Sequence, residues 1–132
     1  IKINVGAAIP ELDNPPPDYA VSGRDLITGT PRQIKVNYSE IAHALDKSIR
    51  KIETAVLKAL EITPPELSSD IFETGIYLTG GGALLRGLDK RIAQKTKLVV
   101  HVAEDPLKAV VCGTGIALKN INNFSFLMTK NG

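Results

Sequence analysis

The 132 residues include no tryptophan, one cysteine, one methionine, and only three tyrosines and three phenylalanines. A lone cysteine, Cys112, excludes an internal disulfide and suits a reducing compartment. Flanked by Val110 and Val111, it reads as a small buried hydrophobe rather than a reactive thiol. The two histidines, His43 and His101, stand at no familiar ligand spacing from it, which argues against a metal centre. His43 reads as a solvated surface residue and His101 as a half-exposed strand residue. No apolar run approaches the ~18 residues of a membrane span. Charge of neither sign is in excess: sixteen basic against fourteen acidic residues leave a formal +2, with no nucleic-acid footprint. A hydrophobic content of 43% with 23% charged residues is that of a globular domain with a real core.

What the chain does have is a glycine-rich junction, Gly75-Ile76-Tyr77-Leu78-Thr79-Gly80-Gly81-Gly82-Ala83-Leu84. An apolar β-rich run ends at a polar threonine, three glycines follow, and a helical pattern begins. Glycine admits φ > 0 and lets a ligand approach without meeting a Cβ atom. A helix beyond such a turn aims unpaired N–H groups and its positive dipole end back at it. The spacing is neither a P-loop nor a G-x-G-x-x-G fingerprint, so an ordinary β-to-α turn and an anion or nucleotide cradle both remain open.

Taken in order, residues 3–9 alternate as a strand, ended by Pro10, and the opening in Ile1-Lys2-Ile3 without methionine or signal peptide reads as a piece of a longer protein. The proline-rich stretch through Pro15-Pro16-Pro17 is an exposed connector. Residues 19–26 and 32–38 read as strands that complete a small antiparallel meander. Asn37-Tyr38-Ser39-Glu40 is a capping box opening a helix of about 22 residues. Its apolar line is Ile41, Leu45, Ile49, Ile52, Val56 and Leu60, with Arg50, Lys51, Glu53 and Lys58 on the other side. Thr63-Pro64-Pro65 stops it, and a short helical turn follows over 66–72.

After the glycines, Leu84, Leu85, Leu88 and Ile92 line one helix face, while Arg86, Asp89, Lys90, Arg91 and Lys95 point outward. Arg86 and Arg91 are either phosphate contacts or part of a solvated face. Residues 98–102 form a strand parallel to 76–79. Glu104-Asp105-Pro106 reads as an N-cap with proline at N1 rather than a magnesium site. The last helix runs from about Leu107 to Ile121, with Gly113 and Gly115 permitting close packing against backbone or ligand. The tail after Asn122 has no clear pattern.

The strings GRDLITGTPR (23–32), PPELSSDI (64–71), LTGGGALLRGLDKRI (78–92) and VAEDPLKAVVCGTGIAL (102–118), in this order, strongly resemble the MreB family of rod shape-determining bacterial actins. The resemblance covers essentially the whole chain. It implies an α/β fold, part of the second lobe of an actin-like ATPase with a ribonuclease-H-like core. Residues 1–74 would then be the small α+β inserted subdomain with its long helix, and 75–132 the C-terminal part of the larger nucleotide-binding subdomain. The backbone of Gly80, Gly81, Gly82 and Ala83 would approach the adenosine of ATP, with Ile1 and Lys2 near ribose and base. The phosphate-binding loops, the catalytic acid and the membrane-inserting elements of the family belong to sequence preceding Ile1, so this stretch alone is expected to bind ATP weakly or not at all and not to hydrolyse it.

The function so implied is that of a Mg-ATP-dependent, filament-forming cytoskeletal protein directing cell shape and wall synthesis. Its partners would be further copies of itself, stacked head to tail, the cell-wall elongation machinery, and the membrane through regions outside this sequence. It would work in the cytoplasm at the inner face of the cell membrane. The Pro10–Asp18 loop and the 64–72 segment are the candidate filament surfaces. Another ATPase of the actin, Hsp70 and sugar-kinase superfamily is the alternative.

Overall fold

The structure, a computed structural model, describes residues 1–124; the end of the patternless tail lies outside them. The chain runs α1 (Lys2–Val5), β1 (Tyr19–Arg24), β2 (Pro31–Val36), α2 (Tyr38–Glu61), α3 (Pro65–Thr74), β3 (Ile76–Leu78), a 3-10 turn (Gly81–Leu84), α4 (Leu88–Thr96), β4 (Val100–Val102) and α5 (Ala109–Lys119).

The expected first strand is instead a single helical turn. The amides of Asn4 and Val5 donate to Ile1 O and that of Gly6 to Lys2 O. Ala7 then makes one isolated parallel bridge to Arg86, with Ala8 N donating to Arg86 O at 2.8 Å. The alternation over 3–9 does not carry into burial: residues 5–8 are buried in succession beneath neighbouring elements, while Ile3 is exposed. The expected meander is therefore a two-stranded hairpin, β1 antiparallel to β2 from Tyr19↔Val36 to Arg24↔Pro31.

The capping box forms as read: Asn37 Oδ1 accepts from Glu40 N at 2.8 Å, and Glu40 Oε2 accepts from Asn37 N at 3.0 Å. Two donors that the first helical turn leaves orphaned are thereby satisfied. Helix α2 spans 24 residues and ends ahead of Pro64-Pro65, where α3 starts with proline in its first turn. β3 pairs in parallel with β4, Ile76↔Val100 to Leu78↔Val102, the right partner for a strand reached through a helical crossover.

The core sits where α2, α4 and this short parallel sheet meet. Ala8, Ile49, Leu88 and Ile92 are buried together, with Leu45, Val56, Ile76, Leu78, Leu85 and Val100 packed around them. Ile76, Leu78 and Val100 thus turn inward, whereas Tyr77 and His101 stack on the open face with ring centroids 4.8 Å apart.

Two expectations fail on α5. No residue in it is buried, so Cys112 is exposed rather than packed among Val110 and Val111. Nothing stands within 4 Å of where a Cβ would lie at Gly113 or Gly115, so neither glycine packs closely against backbone among the described residues, and close approach of a ligand is the half of that expectation left standing. The turn at Pro106–Lys108 also intervenes, so the helix begins later than Asp105 would cap. Asp105 Oδ1 instead accepts from Lys108 N at 3.3 Å, and its carboxylate pairs with Lys108 Nζ at 3.1 Å.

Candidate functional site

The glycine junction is not a direct entry into a helix. After β3, Gly80 takes φ +75°, and its amide donates to Pro106 O at 2.7 Å, anchoring the turn to the segment that follows β4. Gly81–Leu84 then wind as a 3-10 turn, opened by Ala83 N to Gly80 O at 3.2 Å. Helix α4 starts only at Leu88. The amides of Gly81 and Gly82 precede the first 3-10 bond and find no backbone acceptor among the described residues.

The three glycines serve different ends. Gly80 is required by its positive φ, which a side chain adopts only with strain. Gly81 and Gly82 do not have positive φ. A Cβ at Gly82 would meet nothing within 4 Å, and one at Gly81 would meet only Leu107 Cδ2 at 3.7 Å. The chain's own packing gives no reason for glycine at 81 and 82, and their exposed backbone is left open to approach from outside.

Arg86 brings the N-terminal turn to this loop. Its Nη1 donates to Ile3 O at 3.3 Å and Asn4 O at 3.0 Å, a cation on the carbonyl end of α1, while its backbone holds Ala8. An open cleft of about 530 Å³ results, lined by Lys2, Ile3, Gly81, Gly82, Leu84 and Leu107, among others. Of the residues singled out in the sequence, Lys2, Gly81 and Gly82 are thus brought together. Ile1 is half exposed and outside the lining, Gly80 forms the turn beneath, and Ala83 is buried. The apolar walls were not foreseen. Leu84 had been placed on the buried helix face but is exposed, because it belongs to the 3-10 turn and not to α4. Among the described residues no three His, Cys, Asp or Glu converge as metal ligands.

Arg86 is exposed, as the solvated-face reading has it, with its Nη1 on the α1 carbonyls, whereas Arg91 does not lie on a solvated face. Arg91 lies in the α2–α4 seam, its side chain 15% exposed. Nε donates to Glu53 Oε1 at 2.6 Å, Nη2 to Asp46 Oδ1 at 2.7 Å and Nη1 to Ala8 O at 2.9 Å. Each of its three nitrogens thus donates one bond internally. Glu53, expected on the outer side of α2, turns inward with 11% exposure, and Ile52, expected in the apolar line, is 45% exposed. The Arg91 hydrogen bond, with Arg50 assisting, holds the Asp46 carboxyl below the usual carboxylate range. Lys90 pairs with Asp13, lowering that carboxyl in the same way and fastening the proline-rich loop to α4.

A model of the MreB/Mbl protein family matches residues 1–126. The chain is 44% identical over 122 residues to the cell shape-determining protein Mbl of Bacillus subtilis, covering 92% of this chain and 36% of that protein. It is 47% identical to the cell shape-determining protein MreB of Escherichia coli over the same share of this chain and 35% of the relative. Among solved structures, MreB5 of Spiroplasma citri bound to ADP superposes with a TM-score of 0.84 at 35% identity, covering 99% of this chain and 38% of that one. The AMPPNP complex of the same protein gives 0.83 at 36% identity, covering 92% of this chain and 36% of that one. The chain therefore spans about a third of the length of the relatives it matches, and its fold is that of the corresponding part of these actin-like structures. On a family match across nearly all of its length and on the superposition of its fold, the chain belongs to the MreB/Mbl family of cell shape-determining proteins.

Proposed function

We propose that this chain is the C-terminal, second-lobe part of an ATP-binding, filament-forming bacterial actin, and that the glycine turn is one wall of its nucleotide site. The observation that carries the reading is the pair Gly81 and Gly82, whose backbone is glycine with no demand from φ or packing and whose amides have no backbone acceptor. Such a wall favours close approach by a flat or anionic ligand. Ile3, Leu84 and Leu107 supply apolar surface for a base, and Lys2 a cation beside it. The MreB5 structures bound to ADP and AMPPNP support a nucleotide in that role.

Magnesium and the phosphate cradle would come from residues outside this sequence, and so would the membrane contact. The protein would act on the inner face of the cell membrane and direct wall synthesis through self-association and contacts with the elongation machinery. The test is titration of the full-length protein with a fluorescent ATP analogue and magnesium, beside sedimentation with and without ATP. Saturable binding that Gly81→Val and Gly82→Val each weaken about tenfold is expected. Binding unaltered by both substitutions would remove the glycine turn from the site.

A further inference from the structure

The first turn of the chain has little beneath it among the described residues. Ile3 is 88% exposed, and within α1 only Val5 is buried. An isolated turn of four residues fixes several backbone dihedrals for very few hydrogen bonds, so α1 depends on something outside itself. That something is one side chain. Arg86 Nη1 donates to Ile3 O at 3.3 Å and to Asn4 O at 3.0 Å, and no other side chain hydrogen-bonds to residues 1–6 among the described residues. The two carbonyls lie at the C-terminal end of α1, where the helix has no partner of its own for them.

Arg86 differs from Arg91 in what it binds. It makes no ion pair with a carboxylate among the described residues, so its side chain serves backbone alone. Its own backbone grips the same segment further on, with Arg86 O accepting from Ala8 N at 2.8 Å. Between the two grips lies Gly6. A Cβ there would collide with Lys2 O and stand 3.1 Å from Leu85 Cδ1, so glycine is what lets α1 lie this close to the loop. The result is a wall of Lys2 and Ile3 facing Gly81, Gly82, Leu84 and Leu107 across the cleft of about 530 Å³. Arg86 stands behind that wall and outside the lining.

We propose that Arg86 is a positioning residue of the nucleotide site: by clamping the carbonyls of Ile3 and Asn4 it holds the Lys2–Ile3 wall opposite the glycine turn and so sets how tightly the base and sugar are held. The inference rests on the nucleotide reading above. Without the clamp the cleft keeps its glycine side and loses the other for part of the time, and affinity falls with the fraction of molecules in which both walls stand. Lysine at 86 keeps the charge but offers a compact ammonium in place of a planar fork, so it restores the clamp only in part. Ile3, Leu84 and Leu107 face the base, and the phosphate cradle belongs to residues outside this sequence, so ATP and ADP feel the loss alike. A guanidinium that reached a phosphate directly would discriminate between them.

The experiment titrates the full-length protein with fluorescent ATP and ADP analogues in the presence of magnesium, with thermal melts of every variant. Arg86→Ala raises both Kd values about tenfold and by the same factor, and Arg86→Lys raises them about threefold. Gly6→Ala displaces the same turn without touching the guanidinium and raises both Kd values similarly. The double variant of Arg86→Ala with Gly6→Ala loses little more than either alone, because both remove one wall. Arg24→Ala is the matched control. Arg24 Nε also donates to a backbone carbonyl, Gly29 O at 3.1 Å, but on the β1–β2 hairpin, and its loss leaves both Kd values at wild type. Unchanged affinity in Arg86→Ala beside a weakened Gly81→Val overturns the clamp and leaves the nucleotide reading intact. ATP losing several-fold more affinity than ADP, or additive losses in the double variant, assigns Arg86 to the ligand itself and equally overturns it. Weakening shared by Arg24→Ala, or matched by a collapse of the melting temperature in Arg86→Lys and Gly6→Ala, makes the effect one of general stability and overturns it too. A wild-type protein that binds neither analogue removes the nucleotide reading and the clamp with it.

Discussion

Arg91 and Glu53, thirty-eight residues apart, meet across the α2–α4 seam with Nε to Oε1 at 2.6 Å, while the same guanidinium holds Asp46 and the carbonyl of Ala8. One side chain thus ties together the N-terminal segment, the long helix and the helix that follows the glycine turn. The position of α2 relative to the glycine turn depends on this cluster as well as on the apolar contacts of Ile49 and Ile92.

Replacing Arg91 by alanine leaves Glu53 largely buried without its partner. A loss of about 3 kcal/mol is expected from urea denaturation, whereas Arg91→Lys, which keeps the charge but not the three-way geometry, loses about half of that. A double change, Arg91→Leu with Glu53→Leu, recovers much of the stability, because no unpaired charge remains in the seam. Equal stability of wild type and Arg91→Ala would show that the seam is held by apolar packing alone.

Acid should loosen the same seam. Asp46 has its folded-state pKa depressed, chiefly by the Arg91 hydrogen bond, below its ordinary value of 3.8. The unfolded chain therefore binds this proton at higher pH than the folded one. The stabilisation is fully present above about pH 4 to 5 and is lost as pH falls through the folded value. Asp25, held down by the Thr28 and Ile27 amides, and Asp13, held down by Lys90, act in the same direction. The urea midpoint should be flat near neutrality and decline below about pH 4, with a shallower decline in Asp46→Asn; identical profiles would remove Asp46 from the cause.

The glycine turn separates into two classes of substitution. Gly80→Ala forces a side chain into φ +75° and should cost about 1 kcal/mol of stability. A Cβ at Gly81 or Gly82 meets at most an ordinary contact with Leu107, so Gly81→Val and Gly82→Val should leave the melting temperature within a few degrees, while weakening nucleotide binding in the full-length protein. Thermal melts and nucleotide titrations on the same three variants distinguish the classes. If all three unfold alike, the turn is structural only.

The chain by itself should release no phosphate from ATP in the presence of magnesium. The open amides of Gly81 and Gly82 could cradle one side of a ligand, but phosphoryl transfer needs a positioned metal and a phosphate clamp. Measurable magnesium-dependent turnover in a coupled phosphate assay of this chain alone would overturn that assignment.

The sequence by itself determined what depends on neighbours along the chain. The Asn37–Glu40 box, the stop at Pro64-Pro65 and the β1–β2 turn all rest on interactions spanning a few residues, and each stands where its residues place it, whereas the glycine junction turns where expected but passes through a 3-10 turn before α4. The four family strings carried the fold class, because their joint order is far more specific than any one turn. Tertiary structure alone decided the rest. Residues 3–9 alternate in sequence, yet α1, an unbroken buried run over 5–8 and a single bridge to Arg86 answer that pattern, since periodicity over a few residues does not distinguish a pleat from a turn pressed under other elements. Glu53 and Ile52 exchanged their expected faces because a guanidinium 38 residues further on made an inward carboxylate favourable. Arg86 reached Asn4 across 82 residues to set Lys2 beside Gly81 and Gly82. Local hydrogen bonds and turn chemistry are written in adjacent residues, whereas the partner of a long cationic side chain is chosen only when distant segments arrive at the same place.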